Sequence, residues 1–240
     1  YSDDFDALCL DGTSLLDSIA NFDTIPSFNW LGDVAASGSY YFANTLNFGA
    51  AYAVDLERYF VTRGFYPSNL IDARLEEIDF WTDLDGGVID QVNAQMYMRA
   101  TNDDPSGTPT WSAWQQFVSG TFNGRAFQFR ADLLSNNTSQ NILIDGMGYE
   151  ASFQQRTDQS TATIASGAAA KAVTFEKPFY TAGGTVLPSI GITAQNMATG
   201  DYFVVSSVSG TGFTVTFRNT AGTAIDRNFT YAAVGYGRGV

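Results

Sequence analysis

From about residue 38 onward, apolar positions recur every second residue. In SYYFANTLNF, Tyr40 and Phe42 share a face, as do Leu46 and Phe48. AYAVDLERYFV groups Tyr52, Val54 and Leu56. AQMYMRA separates Ala94, Met96 and Met98 from Gln95, Tyr97 and Arg99, and AFQFRA separates Phe127 and Phe129 from Gln128 and Arg130. Short alternating runs joined by turn formers such as LDGG and DDPSGTP predict antiparallel strands with one buried face, hence an all-β chain of sandwich type. No long amphipathic helix competes. The single helical candidate, SLLDSIANF, places Leu15, Leu16 and Ile19 on one side, with Asp11 or Thr13 near its start. Pro26 and the Gly32 region break it, so residues 1–36 read as an N-terminal strap.

The pattern also divides the chain. Residues 154–170 (QQRTDQSTATIASGAAA) hold one larger aliphatic, Ile164, and a run so small and polar reads as a linker. Before it, residues 37–153 form a jelly-roll or carbohydrate-binding-module-like sandwich. After it, residues 171–240 offer five strand candidates: AVTFEKPF, VLPSIGIT, YFVVSSV, GFTVTFRN and NFTYAAVGYG. The expectation is therefore two antiparallel β-sandwich modules. A unit of roughly seventy residues is marginal alone and usually needs a staple. With neither a disulfide nor a metal cluster to serve, association with its own copies is the ordinary solution.

Composition narrows the chemistry. The net charge is −13 and charged residues make up 15% of the chain, against 15% aromatic and 45% hydrophobic. Such acidity repels nucleic acid and anionic lipid. Histidine is absent and Cys9 is the sole cysteine. Together these exclude an intrachain disulfide, thiolate zinc sites, His-ligated metals and His-dependent triads. No cofactor or metal is expected, and no run approaches the ~20 apolar residues of a membrane helix. The chain begins at Tyr1 rather than Met, which reads as the C-terminal piece of a longer polypeptide.

Two stretches carry family resemblances. The first runs from Phe175, Pro178 and Phe179 through Pro188 and Ser189, then Thr211 to Val215, and closes on Tyr231 to Ala233. It resembles the H-type lectin domain, which implies a six-stranded sandwich, a homotrimer, and metal-free sugar binding near subunit boundaries. Where that family commonly has a Trp after its Gly-Phe-x-Val strand, this chain continues Thr216, Phe217, Arg218, Asn219, and the family's His is missing. The family's sugar preference is therefore not carried over. The second stretch is Arg99, Thr101, Asp103, Asp104, Pro105, Thr110, Trp111, Ser112 and Trp114, within residues 37–150. It resembles modules near the C-terminus of phage tail-tip attachment (host-specificity) and central fibre proteins. That likeness implies a virion protein of the distal tail, with other phage tail proteins as partners.

Candidate residues follow. Trp111 and Trp114, three positions apart, would face opposite ways on a regular strand, so at most one is plain core. The pair reads first as a staple between strands and second as a sugar-stacking platform. Asp83, Asp85 and Asp90 fail to complete an EF-hand pattern and read as a hairpin turn. Asp103 and Asp104 read as turn formers rather than glycosidase carboxylates, which must face each other across a cleft. In the second unit, Asn196, Asp201, Arg218, Asn219 and Arg227 lie at strand ends and loops, with Tyr180 and Tyr236 as aromatic faces for a sugar. The leading expectation is a non-enzymatic attachment protein recognising cell-surface glycan, lipopolysaccharide included. The alternatives are a purely structural trimerisation module and an Asp/Glu-based polysaccharide depolymerase.

Overall fold

The period-two pattern becomes strands throughout the computed structural model, which describes residues 8–9, 34–66 and 88–240. The helical candidate at the N-terminus, and Asp83 and Asp85, lie outside the described residues. Among the described residues all regular structure is β, apart from a short 3-10 turn at Ala182–Gly184.

The first module is one antiparallel sheet of β1 (Leu8–Cys9), β2 (Ser37–Tyr41), β3 (Leu46–Phe65), β4 (Val92–Thr101), β5 (Gln115–Gln116), β6 (Gly120–Ser135) and β7 (Asn141–Ser152). Its order is β1-β7-β3-β6-β4-β5, with β2 also pairing β6. Long β6 is the spine. Its first half pairs β3, and its second half lies between β4 and β2. The register shifts between Asn47 and Tyr52, bending β3. Tyr149 of β7 stacks on Phe129 of β6 at 4.1 Å, although β3 separates their strands, so the sheet curls over its own core. That core is the alternating set read from sequence: Val54, Leu56, Met96, Met98, Phe127 and Phe129, joined by Phe117. Val34 is 1% exposed and belongs to the adjoining cluster with Leu133 and Ile142. Val34, like Leu8–Cys9, lies within the expected strap of residues 1–36 yet belongs to the first module, because its side chain is committed to the core.

The second module opposes a three-stranded sheet to a four-stranded one. The former contains β10 (Lys171–Thr174), β12 (Tyr202–Ser206) and β13 (Gly212–Arg218) in the order β10-β13-β12. The latter contains β8 (Gln155–Gln159), β9 (Ile164–Ala165), β11 (Ser189–Gln195) and β14 (Asn228–Tyr236), all paired around β14. All five expected strands form. The expected linker does not: β8 and β9 fall within it and hydrogen-bond to β14. Composition misled here because an edge strand needs backbone pairing and only one inward position in two, and Asp158 and Ile164 fill those positions. Asp158 is buried, accepting from the Tyr231 hydroxyl at 2.7 Å and the Glu176 N–H at 3.0 Å. Burial first, then this carboxylate, pushes the Tyr231 hydroxyl pKa upward. Gly212 is required by close packing, since a Cβ there would stand 2.1 Å from the Val173 carbonyl oxygen.

The modules are clasped together. Beyond Gly237, whose φ is +74°, β15 (Arg238–Gly239) leaves the second module and pairs with β3 of the first. The Val240 N–H donates to the Ala51 carbonyl at 3.2 Å. Beside this strand, Tyr180 stacks on Phe153 at 4.2 Å and meets Phe48 and Tyr52 edge-on at 5.7 and 5.6 Å. The Tyr52 hydroxyl donates to the Phe179 carbonyl, and the Arg156 guanidinium lies 3.8 Å from the Phe179 ring. The staple that a seventy-residue unit lacks is thus supplied within the chain, by two added strands and by the first module.

Candidate functional site

Residues 111–114 are not strand. They lie alongside β4, where the Ser112 N–H donates to the Ala100 carbonyl at 2.9 Å and the Ser112 hydroxyl accepts the Ala100 N–H at 3.0 Å. The parity expectation for Trp111 and Trp114 therefore fails, because irregular backbone lets both rings meet one cation. The Arg99 guanidinium carbon lies 5.0 Å from Trp111 and 4.6 Å from Trp114. Trp114 also meets Arg130 at 4.7 Å, and Arg130 reaches Tyr97 at 5.3 Å. Arg99 is shared by two rings and Trp114 by two guanidiniums, so these groups form a ladder across the outward side of β4 and β6. Gln128 anchors it by accepting from Arg99 Nε and Nη2 at 2.9 and 2.7 Å, and Asp132 pairs with Arg130 at 2.9 Å. Tyr41, 56% exposed, packs edge-on to Trp114 at 6.0 Å. Both rings thereby pack against side chains of β4, and Trp114 against β6 as well. The sequence signal for their partners was Tyr97, Arg99 and Arg130 at outward positions of alternating strands.

The preceding loop is tied locally. Asp103 accepts the Thr110 N–H at 2.7 Å. Asp104 accepts from the Ser106 hydroxyl at 2.7 Å and from Arg125 at 2.7 Å. The Ser106 bonds first, then Arg125, lower the Asp104 pKa. Both aspartates act as turn formers.

Five residues named from the second unit converge at one tip of that sandwich. The turns 196–201 and 219–227 abut there, so closely that a Cβ on Gly200 would sit 2.2 Å from Thr220 Cγ2. Arg227 donates Nε and Nη2 to one Asp201 oxygen at 3.0 and 2.5 Å. The Ala198 N–H donates to the same oxygen at 2.8 Å. That backbone bond first, then Arg227, lowers the Asp201 pKa, and the Asp201 side chain is only 4% exposed. Arg218 Nη1 donates to the Gly222 carbonyl at 2.5 Å, and Asn219 Oδ1 accepts the Ala221 and Thr223 N–H groups at 3.1 and 2.9 Å. Asn196 holds a left-handed turn at φ +57° and is exposed. Among the described residues, the Asn196 side chain and the Asn219 amide nitrogen have no protein partner. Asp201, Arg218 and Arg227 thus frame the tip, Asn196 is exposed there, and Asn219 keeps only its amide nitrogen unpaired among the described residues.

Tyr180 and Tyr236 are not part of this tip. Their backbones bridge each other at the opposite end of β14, roughly 26–30 Å away at ~3.3 Å per strand residue. Tyr180 is committed to the inter-module ring cluster, so it cannot offer a sugar its face there. Tyr236 is 44% exposed but belongs to a different surface.

Sequence reading passed over a groove of about 320 Å³ on the first module, lined by Asp55, Glu57, Ser119, Thr121 and Glu150. Glu57 and Glu150 stand directly opposite on β3 and β7. Asp55 accepts from the Thr121 hydroxyl at 2.5 Å and from the Gln154 amide at 3.1 Å. Its signal in the sequence was the Asp-x-Glu spacing on β3. No His/Cys/Asp/Glu group among the described residues is arranged to hold a metal ion. No family model, curated protein or solved structure matches the chain.

Proposed function

We propose that the protein is a non-enzymatic attachment module of a phage tail tip or fibre, assembled as a homotrimer, that recognises cell-surface carbohydrate through the tip of its second sandwich. The observation that carries this reading is the convergence of Asn196, Asp201, Arg218, Asn219 and Arg227, where an exposed Asn196 side chain and the Asn219 amide nitrogen have no protein partner among the described residues, next to a fixed ion pair. Planar amides on a braced frame suit the paired hydroxyls of a sugar, because the frame is already ordered before binding. The residue patterns at 99–114 and 175–233 support the tail and lectin-like parts of the reading. Asn196→Gly is the test: glycine keeps the left-handed turn while removing the amide. Glycan-array binding should fall at least tenfold with unchanged melting. A folded wild-type protein silent on all host-surface glycans overturns the proposal.

A second reading has its own observation. Glu57 and Glu150 are directly opposite on neighbouring strands, so their Cβ atoms lie about 5 Å apart and two carboxylates line one groove, the residue types a glycosidase pair requires. Release of reducing ends from host polysaccharide, abolished by Glu150→Gln, would favour a depolymerase over simple attachment.

A further inference from the structure

We infer that the outward face of the four-stranded sheet, centred on β14, is where a second copy of this chain packs. The inference deepens the assembly part of the proposed function and rests on it. Register pairs Ser189 with Val234, Gly191 with Ala232 and Thr193 with Thr230, so these side chains share the outward side, opposite the buried Phe229, Tyr231 and Ala233. The β8 positions on that side are two glutamines and Thr157. No outward position on β8, β11 or β14 carries a charge, in a chain with 25 acidic and 12 basic residues. The outward side of the first module, by contrast, bears Asp55, Glu57, Glu150, Arg99 and Arg130.

The charge pattern selects the occupant. A chain of net charge −13 repels its own copies, and the repulsion is least where the meeting surfaces are neutral. A basic partner would instead be met by acidic side chains, which this face lacks. Gly191 supplies an independent observation. A Cβ there would meet only the Ala232 carbonyl oxygen at 3.6 Å, an ordinary contact, and its φ is not positive. Nothing among the described residues requires glycine at that position, where it weakens a strand. Close approach of another backbone does require it. Val234, Val186 and Leu187, 37%, 44% and 48% exposed, add apolar area in and beside the face.

The test is the mass of the full chain by sedimentation or light scattering across concentration. Wild type should self-associate. Ala232→Glu should weaken association at least a hundredfold, while Thr174→Glu, an exposed position on the opposite sheet, should leave it unchanged. Should Ala232→Glu lose its wild-type melting profile, Thr157→Glu takes its place. A monomeric wild type, or an oligomer indifferent to charge on this face, overturns the inference. A monomer that still binds glycan removes this inference and leaves recognition standing. An oligomer that ignores glycans does the reverse.

Discussion

Replacing Arg99 tests whether the tryptophan pair is a staple. Arg99→Met keeps most of the apolar stem and removes the guanidinium from two rings, at 5.0 and 4.6 Å, and from Gln128 Oε1. A half-buried cation–ring contact is worth ~1 kcal/mol, so two give ~2. The charged hydrogen bonds to Gln128 add ~1.5 kcal/mol net. The expected loss is therefore ~3–4 kcal/mol of first-module stability. Arg99→Lys retains the charge but loses the planar fork, so it should cost about half as much. Urea unfolding followed by far-UV circular dichroism reads both, and a cycle with Trp111→Ala isolates one ring contact at ~1 kcal/mol. A loss below ~1 kcal/mol for Arg99→Met, or a coupling indistinguishable from zero, would refute the ladder as a structural element. The rings would then be available for another purpose.

Tyr180→Ala removes three ring contacts at the module junction, each worth ~0.5–1.5 kcal/mol beyond area burial, and should split one calorimetric transition into two. Unchanged single-step melting would show that the Tyr180 ring is dispensable and that β15 with the remaining junction contacts holds the modules. For Asp201, a folded pKa below the unfolded value of about 3.9 means that its stabilisation is present above that pH and lost as pH falls through the folded value. The melting difference between wild type and Asp201→Asn should accordingly be largest near neutrality and shrink below about pH 4. Gly212→Ala drives a methyl into the Val173 carbonyl at 2.1 Å and should cost at least ~3 kcal/mol, read as loss of soluble folded protein or a lowered melting temperature.

What was legible in the sequence was whatever depends on local alternation. Val54, Leu56, Met96, Met98, Phe127 and Phe129 declared themselves because a period of two places them all on one face. The five strands of the second unit did so for the same reason. What stayed hidden depends on partners distant in sequence. Gln155–Gln159 looks like linker because its worth lies in backbone bonds to β14, some seventy residues on. Arg99 gives no hint of its role until β4 and β6 pair and bring Gln128 and both tryptophans around it. Tyr180 reads as an exposed aromatic because residues more than a hundred positions earlier, Phe48 and Tyr52, are what enclose it. The tip residues were found for a simpler reason: polar groups at strand ends gather wherever several turns share one end of a sandwich.

The second module has its working parts distributed along β14. The tip lies beyond its Asn228 end, the clasp to the first module at its Tyr236 end, and the uncharged face runs between them. This arrangement keeps three demands from competing. Anchoring uses aromatic burial and consumes Tyr180, whereas the proposed recognition would use polar turns and the proposed packing of copies would use neutral small side chains. Copies joined by the middle of the strand about a symmetry axis parallel to it would carry their tips at one common end and their first modules at the other. The proposed single-site recognition would then gain from a shared, fixed spacing, since linking rigid sites raises the effective concentration without any new contact. That gain depends on the junction being stiff: were Tyr180 and β15 not holding the modules in one orientation, the spacing between tips and the rest of the assembly would be lost to rotation about residues 153–155.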